Sequence, residues 1–471
     1  MRKHFKQLAS ESLVYGLSKV FTRLVSFFFV PLYTHLFTPS EYGTLSITTN
    51  TFFFASIFVV FGLDTAAGVF FWDRNEEQEQ KKTFSSWFWM QLLFSILAAF
   101  AFIIFSKGVS YRLLNTEDVS YYFILGAINL VFAGIPDILI NWLRLQRRAK
   151  ATFYFSAVTS VISIGCNILF VAVLKRGLEG VFLSQVITSA AGTVITLFMM
   201  KNWLSLAHVD LNKLKAMLRF SFPLIPAAIA SWLLSASGPY FLEHYKGLGD
   251  AGIFQVGSTI ASGMGIAIAA FQMAWGPFAL SLQKNEKAKE IYAEMFRVYI
   301  SAASLLAMAL FLFAPEILDL FTSESYHSAS YITGILGYNI VLTGTVYVAS
   351  IGLNIVKTNI PYVKTVITGA LLNIALYYLL IPAFSSEGAA IAILAGQTVR
   401  CIFLFSAAQK RYPIPYNFRY AIIVPAVSFF AGITTLYFLP RNFIPGLVIK
   451  IVITLCFGGI MLFLNKRILK K

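Results

Sequence analysis

The chain has 471 residues, of which 58% are hydrophobic and only 12% charged, and its formal net charge is +16. A soluble domain carries roughly twice that charged fraction, and no long polar segment separates the apolar runs. A water-soluble enzyme or binding module is thereby excluded.

Apolar runs recur from end to end, each long enough to cross a hydrocarbon core of about 30 Å as a helix. Backbone groups in lipid must be satisfied within their own segment, which favours helices over open strands. The pattern predicts spans at 12–36, 44–71, 83–106, 120–142, 152–174, 179–201, 220–242, 251–281, 298–321, 330–355, 361–383, 388–408, 420–439 and 446–465. The first run follows Arg2, Lys3 and Lys6. It is too long for a signal-peptide core and is read as a retained helix. With the N-terminus inside, 27 of the 37 Lys and Arg fall on inner segments and 6 on outer ones. This is the positive-inside asymmetry. The expected fold is all-α: a polytopic membrane protein of about fourteen transmembrane helices, with both termini cytoplasmic. The basic charge then faces anionic membrane lipids, and nucleic acid is set aside as a partner. Cys166, Cys401 and Cys456 lie inside apolar runs with no metal-ligand spacing, so neither a metal nor a cofactor is expected.

The chain repeats itself at an offset of 206 to 209 residues. Pro31 answers to Pro239, Ser40-Glu41-Tyr42-Gly43 to Gly249-Asp250-Ala251-Gly252, Asn167 to Asn373, and Glu179-Gly180 to Glu387-Gly388. This predicts a six-helix lobe over 1–205, a second over 206–410, and two appended helices over 411–471. Six is an even number, so the copies share one orientation, in a parallel pseudo-two-fold repeat about the membrane normal. Glu41, Glu179, Asp250 and Glu387 each open a helix on the outer side, where a carboxylate complements the helix dipole. A substrate role is the other reading of these four.

Ionisable groups at membrane depth are costly and usually face a cavity or a partner. Lys19 and Arg23 share one face of span 1, roughly 10 and 16 Å from its inner end. Asp64 on span 2 lies at about the depth of Lys19. Two readings stand: a structural ion pair, or a Lys19–Asp64 pair that leaves Arg23 free in a cavity. Arg400 on span 12 either snorkels or lines a cavity. Asp137, after Pro136, reads as a cap at a kink or else as a proton site, and Lys364 and Lys450 as snorkelling side chains. Arg144, Arg147 and Arg148 form the densest basic cluster. It is either part of the topology signal or an intake point for an anionic headgroup. No H-E-x-x-H, Walker loop or G-x-S-x-G is present, so no catalytic residues are assigned.

Gly16-Leu17-Ser18-Lys19 and Pro31-Leu32-Tyr33-Thr34-His35-Leu36-Phe37-Thr38-Pro39-Ser40-Glu41-Tyr42-Gly43 resemble the N-terminal signature of polysaccharide-unit flippases. That family shares a superfamily with multidrug-and-toxin-extrusion (MATE) transporters and lipid II flippases. Phe222-Pro223-Leu224-Ile225-Pro226, Gly249-Asp250-Ala251-Gly252-Ile253-Phe254, Trp275-Gly276-Pro277-Phe278, Ile381-Pro382 and Glu387-Gly388-Ala389-Ala390 continue the match in order. Where many relatives carry an Asp-Arg pair, this chain reads Ser237-Gly238-Pro239.

The resemblance implies a MATE-like fold of two six-helix lobes around a wet cationic cavity. It implies an undecaprenyl-pyrophosphate-linked oligosaccharide as substrate, flipped from the cytoplasmic to the outer face for O-antigen, capsule or exopolysaccharide. Polymerases and glycosyltransferases would be its partners. Lys19 and Arg23 would hold the pyrophosphate by charge-assisted hydrogen bonds, with Asp64, Arg400, Arg144, Arg147 and Arg148 as further substrate contacts. Three rivals stand beside it. A cation-coupled drug antiporter would use Asp64. A membrane oligosaccharide polymerase would usually need a large outer loop, and the longest here is about fourteen residues. Lipid II flipping is left open by spans 13 and 14.

Overall fold

The computed structural model describes residues 25–469 other than 26, 74–75, 359 and 439–442. The described regular structure is helical throughout, with no strand. The chain divides into two units between Trp232 and Leu233.

The first unit holds α1 (Phe27–Leu36), α2 (Pro39–Val60), α3 (Leu63–Phe70), α4 (Glu77–Ile104), α5 (Ser106–Leu114), α6 (Ser120–Ala133), α7 (Ile135–Leu145), α8 (Ala149–Asn167), α9 (Gly177–Met199) and α10 (Leu211–Ser221). The division falls within α11 (Ile225–Ala236). The second unit holds α12 (Gly238–Lys246), α13 (Leu248–Gly263), α14 (Gly265–Ser281), α15 (Ala288–Phe321), α16 (Ser330–Ile355), α17 (Ile360–Gln409), α18 (Phe418–Phe438) and α19 (Phe443–Leu469).

Among the described residues, eleven helices are long and apolar enough to cross a membrane, or twelve if the pair α13–α14, bent by 42°, is one span. The protein is a multi-pass membrane protein. The count of fourteen is not reached, for two reasons. Most of the expected span 12–36 lies outside the described residues, and expected spans 361–383 and 388–408 merge into the 50-residue α17. That helix would be roughly 75 Å long if straight, more than twice the hydrocarbon thickness. It breaks at Ser385, whose φ of 47° and ψ of −130° are not helical. A Cβ on Gly369 would lie 3.0 Å from the carbonyl of Gly396, and one on Gly396 would lie 2.9 Å from the carbonyl of Gly369. Such mutual approach requires the two limbs to run antiparallel, with small residues letting the backbones touch.

The asparagines matched by the repeat do the same job in both units. Tyr33 donates its hydroxyl to Asn167 Oδ1, tying α8 to the end of α1. Asn373 Nδ2 donates to the carbonyl of Leu234 at 3.3 Å, tying α17 to α11. Both side chains are buried. The matched glycines also agree: a Cβ on Gly180 would meet the carbonyl of Phe170 at 2.9 Å, and one on Gly388 that of Leu380 at 2.4 Å. Replacing either asparagine by leucine should cost about 1 kcal/mol. The measurement is the melting temperature of the purified protein in detergent; an unchanged value would show that neither bond fastens its helix.

Three of the four repeated acids make structural contacts. Glu41 and Thr38 form a reciprocal capping box at the start of α2. Glu179 pairs with Arg176 at 3.3 Å beside the first turn of α9. Asp250 Oδ1 accepts hydroxyl bonds from Ser385 and Ser386, so the first turn of α13 holds the break in α17.

The two appended helices are built into the second unit through α15. Phe311 is fully buried; Cβ atoms on Gly334 of α16 and Gly432 of α18 would meet its ring at 1.9 and 2.8 Å. Tyr338 donates to Ser428 Oγ at 2.9 Å. Asn465 Nδ2 donates to Ser301 Oγ at 2.9 Å and to the Tyr420 hydroxyl at 3.2 Å. Arg297 stacks on Tyr420 and donates to the carbonyl of Leu464. Lys450 does not snorkel: its ammonium sits 2.6 Å from Glu316 Oε1, with the lysine side chain only 7% exposed.

Candidate functional site

In the first unit, two transmembrane stretches break at similar depth, and each break is followed by an aspartate. The first is the pair Phe61 and Gly62, with φ of 52° and 68°. This left-handed turn separates α2 from α3 and is held by Ser221 Oγ, which donates to the Gly62 carbonyl at 3.0 Å. Asp64 lies in the first turn of α3, roughly 9 Å from its C-terminal end. The second break is Gly134, against which the buried amide of Gln91 packs; a Cβ on Gly134 would lie 2.3 Å from Gln91 Nε2. Pro136 then opens α7, with Asp137 in its first turn, roughly 12 Å from its C-terminal end.

The two carboxylates are close enough to interact electrostatically. Among the described residues neither has a cationic partner. Asp64 accepts only a long 3.4 Å hydroxyl contact from Thr65. Among the described residues these two neighbouring acids form a negative spot, which attracts cations or protons. Lys19 and Arg23, the cations expected to face Asp64, lie outside the described residues. Asp137 was read from sequence as a cap or a proton site and is also the neighbour of Asp64. The signal was present: Gly62-Leu63-Asp64 and Gly134-Ile135-Pro136-Asp137 each place an acid just past a break at matching depth.

Arg144, Arg147 and Arg148 form the exposed turn between α7 and α8. Arg147 adopts a left-handed φ of 56°, and the amide of Arg148 bonds the Leu143 carbonyl at 2.8 Å, which closes α7. Arg144 donates to Asn141 Oδ1 at 2.6 Å, and Arg148 lies over the Trp142 ring. These arginines mark the end of the span and are not gathered with Asp64. Below them, Phe84, Trp87, Trp142 and Trp203 form an aromatic core. The amphipathic α10 is tied to it by Lys213, which donates to the Glu79 carbonyl at 2.7 Å.

In the second unit, Arg400 neither snorkels nor stands free. It is 9% exposed, donates to the Tyr362 hydroxyl at 2.9 Å, lies over that ring, and contacts Gln397 Oε1 at 3.4 Å. Its Nε is buried without a partner, and no carboxylate faces it among the described residues. It bridges the two limbs of α17, one turn beyond Gly396. An apolar groove of about 400 Å³ runs between α18 and α19, walled by Ile423, Val427, Phe457 and Ile460, and carries Arg419 and Asn417 at one end.

Over 381 residues the chain is 25% identical to the succinoglycan biosynthesis transport protein ExoT of Rhizobium meliloti (strain 1021), covering 79% of this chain and 72% of that one. Its fold is similar to that of the lipid II flippase MurJ in an inward closed conformation. The TM-score is 0.76 over 98% of this chain and 100% of that chain, at 14% identity. It is also similar to an inward-facing multidrug resistance MATE family transporter of the MOP superfamily, with a TM-score of 0.65 over 83% of this chain and 94% of that one, at 15% identity. The family model described as polysaccharide biosynthesis protein matches residues 8–283, more than half of the chain, and the chain belongs to that family.

Proposed function

We propose that the protein flips an undecaprenyl-diphosphate-linked oligosaccharide from the inner to the outer leaflet of a bacterial plasma membrane, with both termini on the cytoplasmic side. Family membership across residues 8–283 carries this reading, and the charge pattern supports it. A sugar-diphosphate head cannot enter hydrocarbon without losing its hydration, so a carrier must offer replacement polar groups at depth. Lys19 and Arg23 supply these as donors to the diphosphate, while Asp64 holds Lys19. Arg144, Arg147 and Arg148 draw the anionic head to the inner surface, and Arg400 is a further cation at depth. The apolar groove between α18 and α19, with its cationic end, suits a polyprenyl chain that stays in lipid. Glycosyltransferases would supply the substrate, and a polymerase would consume it.

The test is reconstitution in liposomes with a fluorescent lipid-linked oligosaccharide, scored by its accessibility to a membrane-impermeant quencher. Flipping above empty vesicles is expected, and Arg23→Ala should slow it at least tenfold, the effect of losing one charge-assisted bond of about 1.5–3 kcal/mol. An unchanged rate in Arg23→Ala removes that residue from the site. A second reading is favoured by the neighbouring acids Asp64 and Asp137: a cation-coupled drug antiporter. Drug efflux driven by a sodium or proton gradient, without lipid flipping, would establish it in place of the first.

A further inference from the structure

Beyond the Gly369–Gly396 crossing and the Arg400–Tyr362 bridge, the two limbs of α17 bound a groove of about 530 Å³ at their shared end. Its lining includes Lys364, Lys410 and Arg411 and no carboxylate. Neither lysine ammonium has an ion-pair or hydrogen-bond partner among the described residues, and Arg411 uses one nitrogen on the Ala407 carbonyl. The groove hydroxyls are already committed: Thr365, Thr368 and Ser406 donate to the carbonyls of Tyr362, Lys364 and Ile402. Recognition therefore rests on the three cations. The rest of the wall is apolar, and Ile360 and Phe403 are 68% and 48% exposed.

We infer that this groove is a binding site for the phosphate headgroup of an anionic membrane phospholipid, separate from the transported substrate. Three unneutralised cations converge on a cleft of the size that holds small ligands. Exposed apolar side chains on the same wall suit an acyl chain rather than a soluble anion. Basic pockets between helices on the positively charged side of a membrane protein are where such headgroups bind. The charge asymmetry puts this end of α17 on the inner leaflet. The bound phosphate joins the first limb, through Lys364, to the second, through Lys410 and Arg411, just past the point where Gly369 and Gly396 hold the limbs in contact. The site thereby couples lipid composition to the stability of this hairpin.

Native mass spectrometry of the full chain in detergent, titrated with cardiolipin, phosphatidylglycerol or phosphatidylcholine, tests the assignment. Cardiolipin and phosphatidylglycerol should bind as discrete adducts and phosphatidylcholine should not. Each cation removed should weaken binding about fivefold, matching about 1 kcal/mol per cation near a charged headgroup. The triple variant Lys364→Gln, Lys410→Gln, Arg411→Gln should thus bind about a hundredfold more weakly. Lys410→Gln alone serves should the triple variant fail to fold. The control variant Lys215→Gln, Lys284→Gln, Lys287→Gln removes three exposed cations elsewhere and should bind normally. Equal loss in both triple variants, or equal binding of phosphatidylcholine, would overturn the site. Displacement of the adduct by inorganic phosphate alone would overturn the lipid assignment in favour of a soluble anion.

Discussion

Replacing Gly334 by leucine should prevent the second unit from assembling, and replacing Phe311 by alanine should cost it about 2–3 kcal/mol. Phe311 is the point where α15, α16 and α18 meet. Its ring lies against Gly334 and Gly432, with Tyr331, Tyr338 and Phe429 around the edge. In lipid, helices gain little from leaving the solvent, because the solvent is itself apolar. What holds them is close packing and a few polar bonds. The loss on trimming Phe311 is therefore set mainly by the hole left behind, at or just below the lower end of the range of about 3–5 kcal/mol for buried aromatic side chains. Gly334→Leu acts in the opposite sense. Even its Cβ would overlap the Phe311 ring at 1.9 Å, and the ring is fully buried between three helices. Size-exclusion profiles and detergent melting curves report both. A Gly334→Leu protein that elutes and melts like the parent would show that this junction does not hold the unit together.

Removing the ammonium of Lys450 should be more damaging than removing the whole ion pair. Lys450→Ala leaves the Glu316 carboxylate within the protein with no counter-ion, and its Oε2 is already buried without a partner. Orphaning one member of a buried pair costs about 3–5 kcal/mol. Glu316 keeps 22% exposure, which screens the charge and brings the expected loss to about 2–3 kcal/mol. The double variant Lys450→Met, Glu316→Gln removes both charges and should recover most of that loss. Melting curves of Lys450→Met, Glu316→Gln and the double complete the cycle. A double variant as unstable as Lys450→Ala would show that the unpaired Glu316 carboxylate is not the source of the loss.

The run lengths that a bilayer demands are written directly in the sequence, and so the spans and their order were legible. The internal repeat was legible too: Asn167 and Asn373, matched only by offset, fasten corresponding helices in the two units. Bends were less visible. The 42° break at Met264 falls inside an unbroken apolar run, and hydropathy does not register it. Charge partners at depth were the hardest to read. Lys450 lies within a turn of a span end, where snorkelling is the usual outcome. Its acid is 134 residues away on α15, and only the rotation of both helices brings them together. Arg400 was legible as a cation at depth, but its aromatic partner Tyr362 was not. The nearness of Asp64 and Asp137 was not legible, because each acid was weighed on its own helix. The expected contacts of Lys19 and Arg23 lie outside the described residues.

The way α18 and α19 join α15 bears on where the gene can be shortened. A stop codon after Gln409 would keep the twelve expected spans that form the repeat, yet it would not yield a minimal working carrier. It would strip the cover from Phe311, the hydroxyl partner from Tyr338 and the counter-ion from Glu316, leaving raw polar and aromatic surface in the acyl chains. Such a product should be cleared by membrane proteases soon after synthesis.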